Sequence, residues 1–154
     1  MTEYNEKFIN IEKKLAITTH LTSNVFPMFK NKRILLRALE EIRNSISECI
    51  TIILHVEYTR NEIKLYKDPG KNFESFSTCA KKYLIERGEV RAIEEIFRAV
   101  KEHKESTMEF LREDKIIILS ENMKQNLINL DKIKSFLIVA KKILIKTKNG
   151  ITRG

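Results

Sequence analysis

Tryptophan is absent from this chain of 154 residues, and turn formers are scarce, with four glycines and two prolines. All-β sandwiches and barrels need many tight turns, so the shortage excludes them and favours long helices with few connections. Cysteine is limited to Cys49 and Cys79, which fit no C-x-x-C spacing and do not cluster in sequence with His20, His55 or His103. Isolated thiols of this kind are expected to be reduced core residues, and neither a metal nor a cofactor is expected. The longest apolar runs, residues 116–119 and 136–140, fall far short of the roughly 20 residues that span a bilayer. The opening residues, MTEYNEK, carry charge where a secretory leader would carry an apolar stretch. The expectation is a cytoplasmic protein without a membrane span. Also lacking are a Gly-rich phosphate loop, a nucleophile elbow and an HExxH pair.

Acid is what the last forty residues lack. From Lys115 onward only Glu121 and Asp131 oppose nine basic residues, a net +7, whereas the first 114 residues carry +1. A near-neutral body with a basic end attracts polyanions, most often nucleic acid or an anionic membrane surface. The 42% hydrophobic content supports a true core in a single domain that buries about two-thirds of its unfolded surface.

Tyr4, Phe8, Ile11 and Leu15 recur at helical spacing and predict a helix over residues 3–20. Pro27 disfavours helix at Phe26, so residues 25–29, VFPMF, read as an apolar connection packed on the bundle. Asn31 suits the N-cap of the longest element, residues 32–66, whose stripe includes Leu35, Leu39, Ile42, Ile46, Cys49, Ile53 and Val56. Ile50, Ile52 and Leu54 widen that stripe until the middle turns are apolar nearly all round, as in a helix buried by several neighbours. Asp68-Pro69-Gly70 marks a turn. A helix over residues 72–86 with Gly88 as its C-terminal cap follows, then one over 89–110 on Ile93, Phe97 and Val100. Residues 116–119, IIIL, fit an extended crossing or a continuing helix; the polar residues 120–122 favour the crossing. The last helix covers residues 130–146, with Ile133, Phe136, Leu137, Ala140, Ile143 and Leu144 inward. The expected fold is all-α: an up-and-down bundle of about five helices with one long central helix. Residues 1–147 form one domain, and 148–154 a basic, mobile tail.

Three features bear on function. The first is Lys134, Lys141, Lys142, Lys146, Lys148 and Arg153, at the margins of the last helix or beyond it. Lysines do solvate helix faces, but a solubilising face mixes both signs, and here acids are nearly absent. These residues are expected to contact phosphates of RNA or another polyanion, in a binding module without catalysis. No aromatic platform for base stacking lies among them. A membrane surface is the weaker alternative, because the core consumes the apolar stripe.

The second feature is Arg98-Ala99-Val100-Lys101-Glu102-His103. This Arg, four residues, then His, in an all-α chain of this size, resembles the HEPN family of helical bundles. The resemblance implies a metal-independent endoribonuclease or an inactive relative, with a site shared by two subunits. Arg98 would stabilise phosphate charge, and His103 would act in acid–base cleavage at a 2′-OH. Ala99 departs from the polar residue commonly found there in active members. The third feature is the stretch from His103 to Lys115, which concentrates His, Ser, Thr, Arg and acids where a surface of the neutral body would draw its residues. His55, amid apolar neighbours, is expected to be a hydrogen-bonded core residue. A protein–protein adaptor, as homodimer or with another partner, is a further reading, resting on the apolar residues 25–29 and the apolar middle of the long helix.

Overall fold

A computed structural model describes residues 2–153 and is 74% helical, with a small three-stranded antiparallel sheet. Helix α1 (Thr2–His20) runs through a π turn (Leu21–Val25) into the single helical turn α2 (Phe26–Phe29). Buried Thr18 and Thr22 bond back to the carbonyls of Lys14 and Thr18. The widened turn that follows admits Pro27, which lacks an N–H and would clash in a regular helix. Phe26 therefore stays helical (φ −58°, ψ −45°) instead of breaking the chain, and its ring is fully buried.

The spine is α3 (Lys32–Thr59), capped by the Asn31 side chain, which accepts from the Arg33 amide at 2.9 Å. It ends seven residues before the expected Tyr66, because Asn61 turns left-handed (φ 60°) and the Glu62 amide closes onto the Glu57 carbonyl. Half of its 28 residues are buried. Cross-helix contacts set its neighbours' directions. Lys14–Glu48 and Tyr4–His55 place α1 antiparallel to it, and His103–Glu40 with Arg43 over the Phe97 ring does the same for α5 (Arg87–Lys104).

Between these, α4 (Pro69–Cys79) is capped by Asp68 and continues into a 3₁₀ turn (Ala80–Tyr83). Leu84, not Gly88, takes the left-handed terminating position (φ 58°). Gly88 instead lies in the first turn of α5, where the Glu89 carboxylate accepts from the Glu86 amide at 2.9 Å. At this end Glu57 is a fully buried carboxylate. It accepts from Lys82 Nζ at 2.6 Å and the Tyr83 hydroxyl at 3.1 Å, so α3 is tied to the 3₁₀ turn. Burial, then the Glu57 charge, pushes the Tyr83 phenol well above its ordinary value.

The chain is not all-α. Helix α5 stops at Lys104, six residues before the expected Phe110. The sheet is β1 (Met108–Arg112), β2 (Lys115–Leu119) and β3 (Gln125–Asn129), in that order. Residues 116–119 are thus extended, as favoured, but as the central strand of a sheet. Ile116, paired with Ile128, and Ile118 join the core. The β1–β2 turn is left-handed at both Glu113 and Asp114 (φ 50° and 68°). Lys30–Asp114 (2.9 Å) and Lys32 Nζ donating to the Glu109 carbonyl (2.7 Å) hold the sheet to the start of α3.

Helix α6 (Leu130–Arg153) extends through residues expected to be a mobile tail. Thr147 and Ile151 are buried, so the last turns pack instead of fraying; Gly154 lies outside the described residues. Cys49 and Cys79 are buried free thiols, pushed up by burial to about 12 and about 11. His55 is exposed, against expectation, and bonds the Tyr4 hydroxyl at the outer edge of α1 and α3.

Gly150 is required by close approach: a Cβ there would lie 2.2 Å from Cδ2 of the buried Tyr83 ring. Alanine gains about 1 kcal/mol in helix propensity, but overpacking a fixed ring costs about 1–3 kcal/mol. Gly150→Ala is therefore expected to lower Tm by a few degrees, since about 1 kcal/mol is worth 2–4 °C at this size. A melt by circular dichroism checks this; a raised Tm contradicts it.

Candidate nucleic-acid interface

The apolar side of α6 is consumed by packing: Ile133, Phe136, Leu137, Ala140, Ile143, Leu144, Thr147 and Ile151 are buried. With about 100° per residue, the cationic residues divide among three directions. Lys134, Lys141 and Lys148 recur every seven residues along one edge, on which Lys141 and Lys148 border α1. Lys132 and Lys146 lie on the edge facing α5, where Glu95 and Glu89 pair with them. Lys142 and Arg153 are exposed and point outward, on the side that also carries exposed Ile138 and Ile145. The six candidates therefore do not converge on one face.

Ion pairing sorts them further. Lys146 is held by Glu89, and Lys148 by Glu12 of α1 at 2.6 Å. Lys134, Lys141 and Lys142 have no carboxylate partner among the described residues, and all three are exposed. Burial alone would raise the Glu89 carboxyl, but the Lys146 ammonium, the Glu86 amide and the Lys142 charge hold it below its ordinary value. This pair contributes to stability, with Lys142 adding to it through its charge.

Along the edge of Lys141 and Lys148, α1 and α6 border a groove of about 510 Å³. Its floor is Leu15, Ala16, Leu144 and Ile145, and its rim Glu12, Thr19, Lys141 and Lys148. Ile145 is 57% exposed there. In the connection before α3, Met28 and Phe29 are 77% and 67% exposed, although Phe26 is buried.

Arg98 and His103 are not brought together within one chain. Their five-residue separation turns them about 140° apart on α5. Arg98 is exposed, in a cleft against β3 with Glu95, Glu102 and Lys132. His103 is largely covered: Nδ1 faces the Glu109 carboxylate of β1 and Nε2 faces Glu40 of α3 at 3.3 Å. From the stretch beginning at His103, the structure thus assembles His103 and Glu109 with a residue sixty-odd positions earlier, clasping α3, α5 and β1. Among the described residues no group of three or more His, Cys, Asp or Glu is placed to hold a metal ion, and no helix is long and apolar enough to cross a membrane.

A cluster that sequence reasoning missed lies between α1 and α3, where Lys7, Lys14 and Arg43 line one cavity. Alternate helix turns on two elements supply it, so no local charge run marks it. No family model matches the chain, and none of the curated proteins or solved structures compared matches it.

Because Glu89 is held below its ordinary value of 4.5, it binds protons more readily unfolded than folded. Its contribution is present above the unfolded value and is lost as pH falls through the folded one. Glu89→Gln should lower stability at pH 7 by on the order of 1 kcal/mol, with the difference shrinking below about pH 4. Urea unfolding at neutral and acid pH measures it; an equal gap at both contradicts the assignment.

Proposed function

We propose that the protein is a non-catalytic binding module, an up-and-down bundle in outline, that engages RNA or another polyanion along α6. Lys134, Lys141 and Lys142 are the principal contacts, with Lys146, Lys148 and Arg153 at the margin. The observation that supports this most is selective pairing: carboxylates pair with Lys132 and Lys146 on the α5 edge and with Lys148 on the α1 edge, and leave these three ammonium groups without a partner among the described residues. Seven residues of helix span about 10.5 Å, close to the Debye length at 0.1 M salt. The fields of successive lysines therefore overlap at low salt and are screened apart at high salt.

Three phosphate contacts to a single strand imply a salt slope of about −2, which is a roughly 20-fold loss of affinity between 50 and 200 mM salt. Fluorescence anisotropy with a labelled single-stranded RNA should show this dependence. Lys141→Glu/Lys142→Glu should weaken binding at low salt and flatten the slope. Equal binding by the variant and the parent across that range removes the reading.

The groove beside Lys141 supports a second reading, in which the module docks a protein. An exposed isoleucine on an oily floor and the bare Met28 and Phe29 are surface that solvent does not favour. Light scattering distinguishes self-association from an isolated chain of 18.1 kDa. Under the adaptor reading the mass rises with concentration and falls back in Phe29→Ser; a constant 18.1 kDa at all concentrations contradicts self-association.

A further inference from the structure

On the flank of α1 away from the oily groove lies a cavity of about 700 Å³, roofed by α1 and floored by the outer side of α3. Helical spacing explains how one helix serves both: Lys7, Asn10 and Lys14 face the cavity, while Glu12, Ala16 and Thr19 face the other way. All but one of the residues lining this open cavity are polar or charged, with their carbon stems forming part of the wall. Arg43, Asn44 and Ser47 of α3 stand opposite the α1 residues, and the apolar lining is Ile52, itself buried.

The charge of this cavity is unbalanced. Three cations line it against one acid, Glu48, which already accepts from Lys14 Nζ at 2.7 Å. Lys7 and Arg43 have no carboxylate partner among the described residues. Arg43 is also held in place. Its guanidinium carbon lies 5.8 Å from the centroid of the Phe97 ring of α5, and Nη1 donates to Asn44 Oδ1 at 3.1 Å. A guanidinium held over a ring face and by a hydrogen bond has less freedom left to lose on binding, and most of its five N–H donors remain open. Small-molecule sites with apolar walls take apolar ligands; a chamber of this size lined by cations, amides and hydroxyls takes a compact anion rich in oxygen. Its net charge of two matches the charge of about −1.5 to −2 on a phosphate monoester, and the fork of Arg43 matches paired phosphate oxygens.

We propose that the α1–α3 cavity is a phosphate-ester site. Arg43 grips two phosphate oxygens, Lys7 and Lys14 neutralise the group from the α1 side, and Asn10, Asn44 and Ser47 donate at its edges. The ester can belong to a free phosphorylated metabolite, whose monoester carries a charge of about −1.5 to −2, or to the backbone of an RNA strand, whose diester carries about −1; both offer the fork of Arg43 a pair of non-bridging oxygens. The proposal stands apart from the α6 edge, which shares no residue with the cavity.

Calorimetric titration with pyrophosphate, and separately with a short oligouridylate, tests it on the parent, Lys7→Gln/Arg43→Gln and Lys141→Glu/Lys142→Glu. At least one probe should bind the parent at one site, and the cavity variant should lose about tenfold or more, the worth of a charge-assisted hydrogen bond. Pyrophosphate binding that the α6 variant retains identifies a small ligand; oligouridylate binding alone, weakened by the cavity variant, identifies the RNA backbone. Lys7 is exposed, so Lys7→Gln by itself keeps the fold and should still weaken binding. No binding of either probe, or binding untouched by both cavity variants, overturns the proposal. Oligouridylate binding that falls only in the α6 variant overturns the cavity and leaves the α6 edge standing, whereas the converse does the reverse.

Discussion

A helix whose middle turns carry Ile50, Ile52, Ile53 and Leu54 cannot hide its apolar surface against one neighbour. That constraint organises the molecule. Helices α1, α5 and α6 surround α3, and Ile116, Ile118 and Ile128 of the sheet complete the same core. The most extensive of these contacts is between α3 and α6, and together with α1, α5 and the 3₁₀ turn it covers the apolar stripe of the last helix. Two polar locks then fix the ends. Glu57 with Lys82 and Tyr83 holds the far end of α3, and the Tyr83 ring in turn packs onto the bare backbone of Gly150. At the near end, Lys30 and Lys32 hold the sheet.

Packing also decides which charges are left over. Once α6 is seated, its lysines fall between α1 and α5, and those neighbours differ in sign pattern. Helix α5 presents Glu89 and Glu95; α1 presents Glu12 to Lys148 and nothing acidic to Lys134 or Lys141. Exposed pairs contribute little to stability, commonly under about 1 kcal/mol, so their main consequence is to remove charge from the long-range field. What survives is Lys141 at the rim of an oily groove with Lys134 and Lys142 exposed nearby, and across α1 a cavity with its own surplus of charge. Both flanks of α1 thus border candidate binding surfaces.

Much of this was legible in the residues. The Asn31 cap, the all-round apolar middle of α3 and the inward stripe of α6 were readable because each rests on local spacing. The sheet was not. Its first turn uses Glu113-Asp114 in a left-handed conformation that ordinarily calls for Asn or Gly, and β1 exposes Met108 and Phe110 while turning Glu109 and Leu111 inward. Met108 and Leu111 stand three apart, a spacing that a helix shares, so the apolar residues alone do not mark the strand. Leu84 took the terminating position that glycine normally fills, which displaced the expected helix boundary. For the site, the surplus of positive charge was visible, but its pairing was not. Glu89 and Glu12 lie 57 and 136 positions from the lysines they neutralise, and only tertiary packing reveals such partners. The same distance in sequence hid the cavity that joins Lys7 to Arg43.

The fold sorts the C-terminal lysines into those paired with carboxylates and those left without a partner among the described residues. Acylation of individual lysines, read by mass spectrometry with and without bound RNA, measures this directly. The account predicts rapid labelling of Lys134, Lys141 and Lys142, slow labelling of Lys146, and protection of the rapid set when RNA is present. Uniform labelling of all four, or RNA protection confined to other lysines, would contradict it.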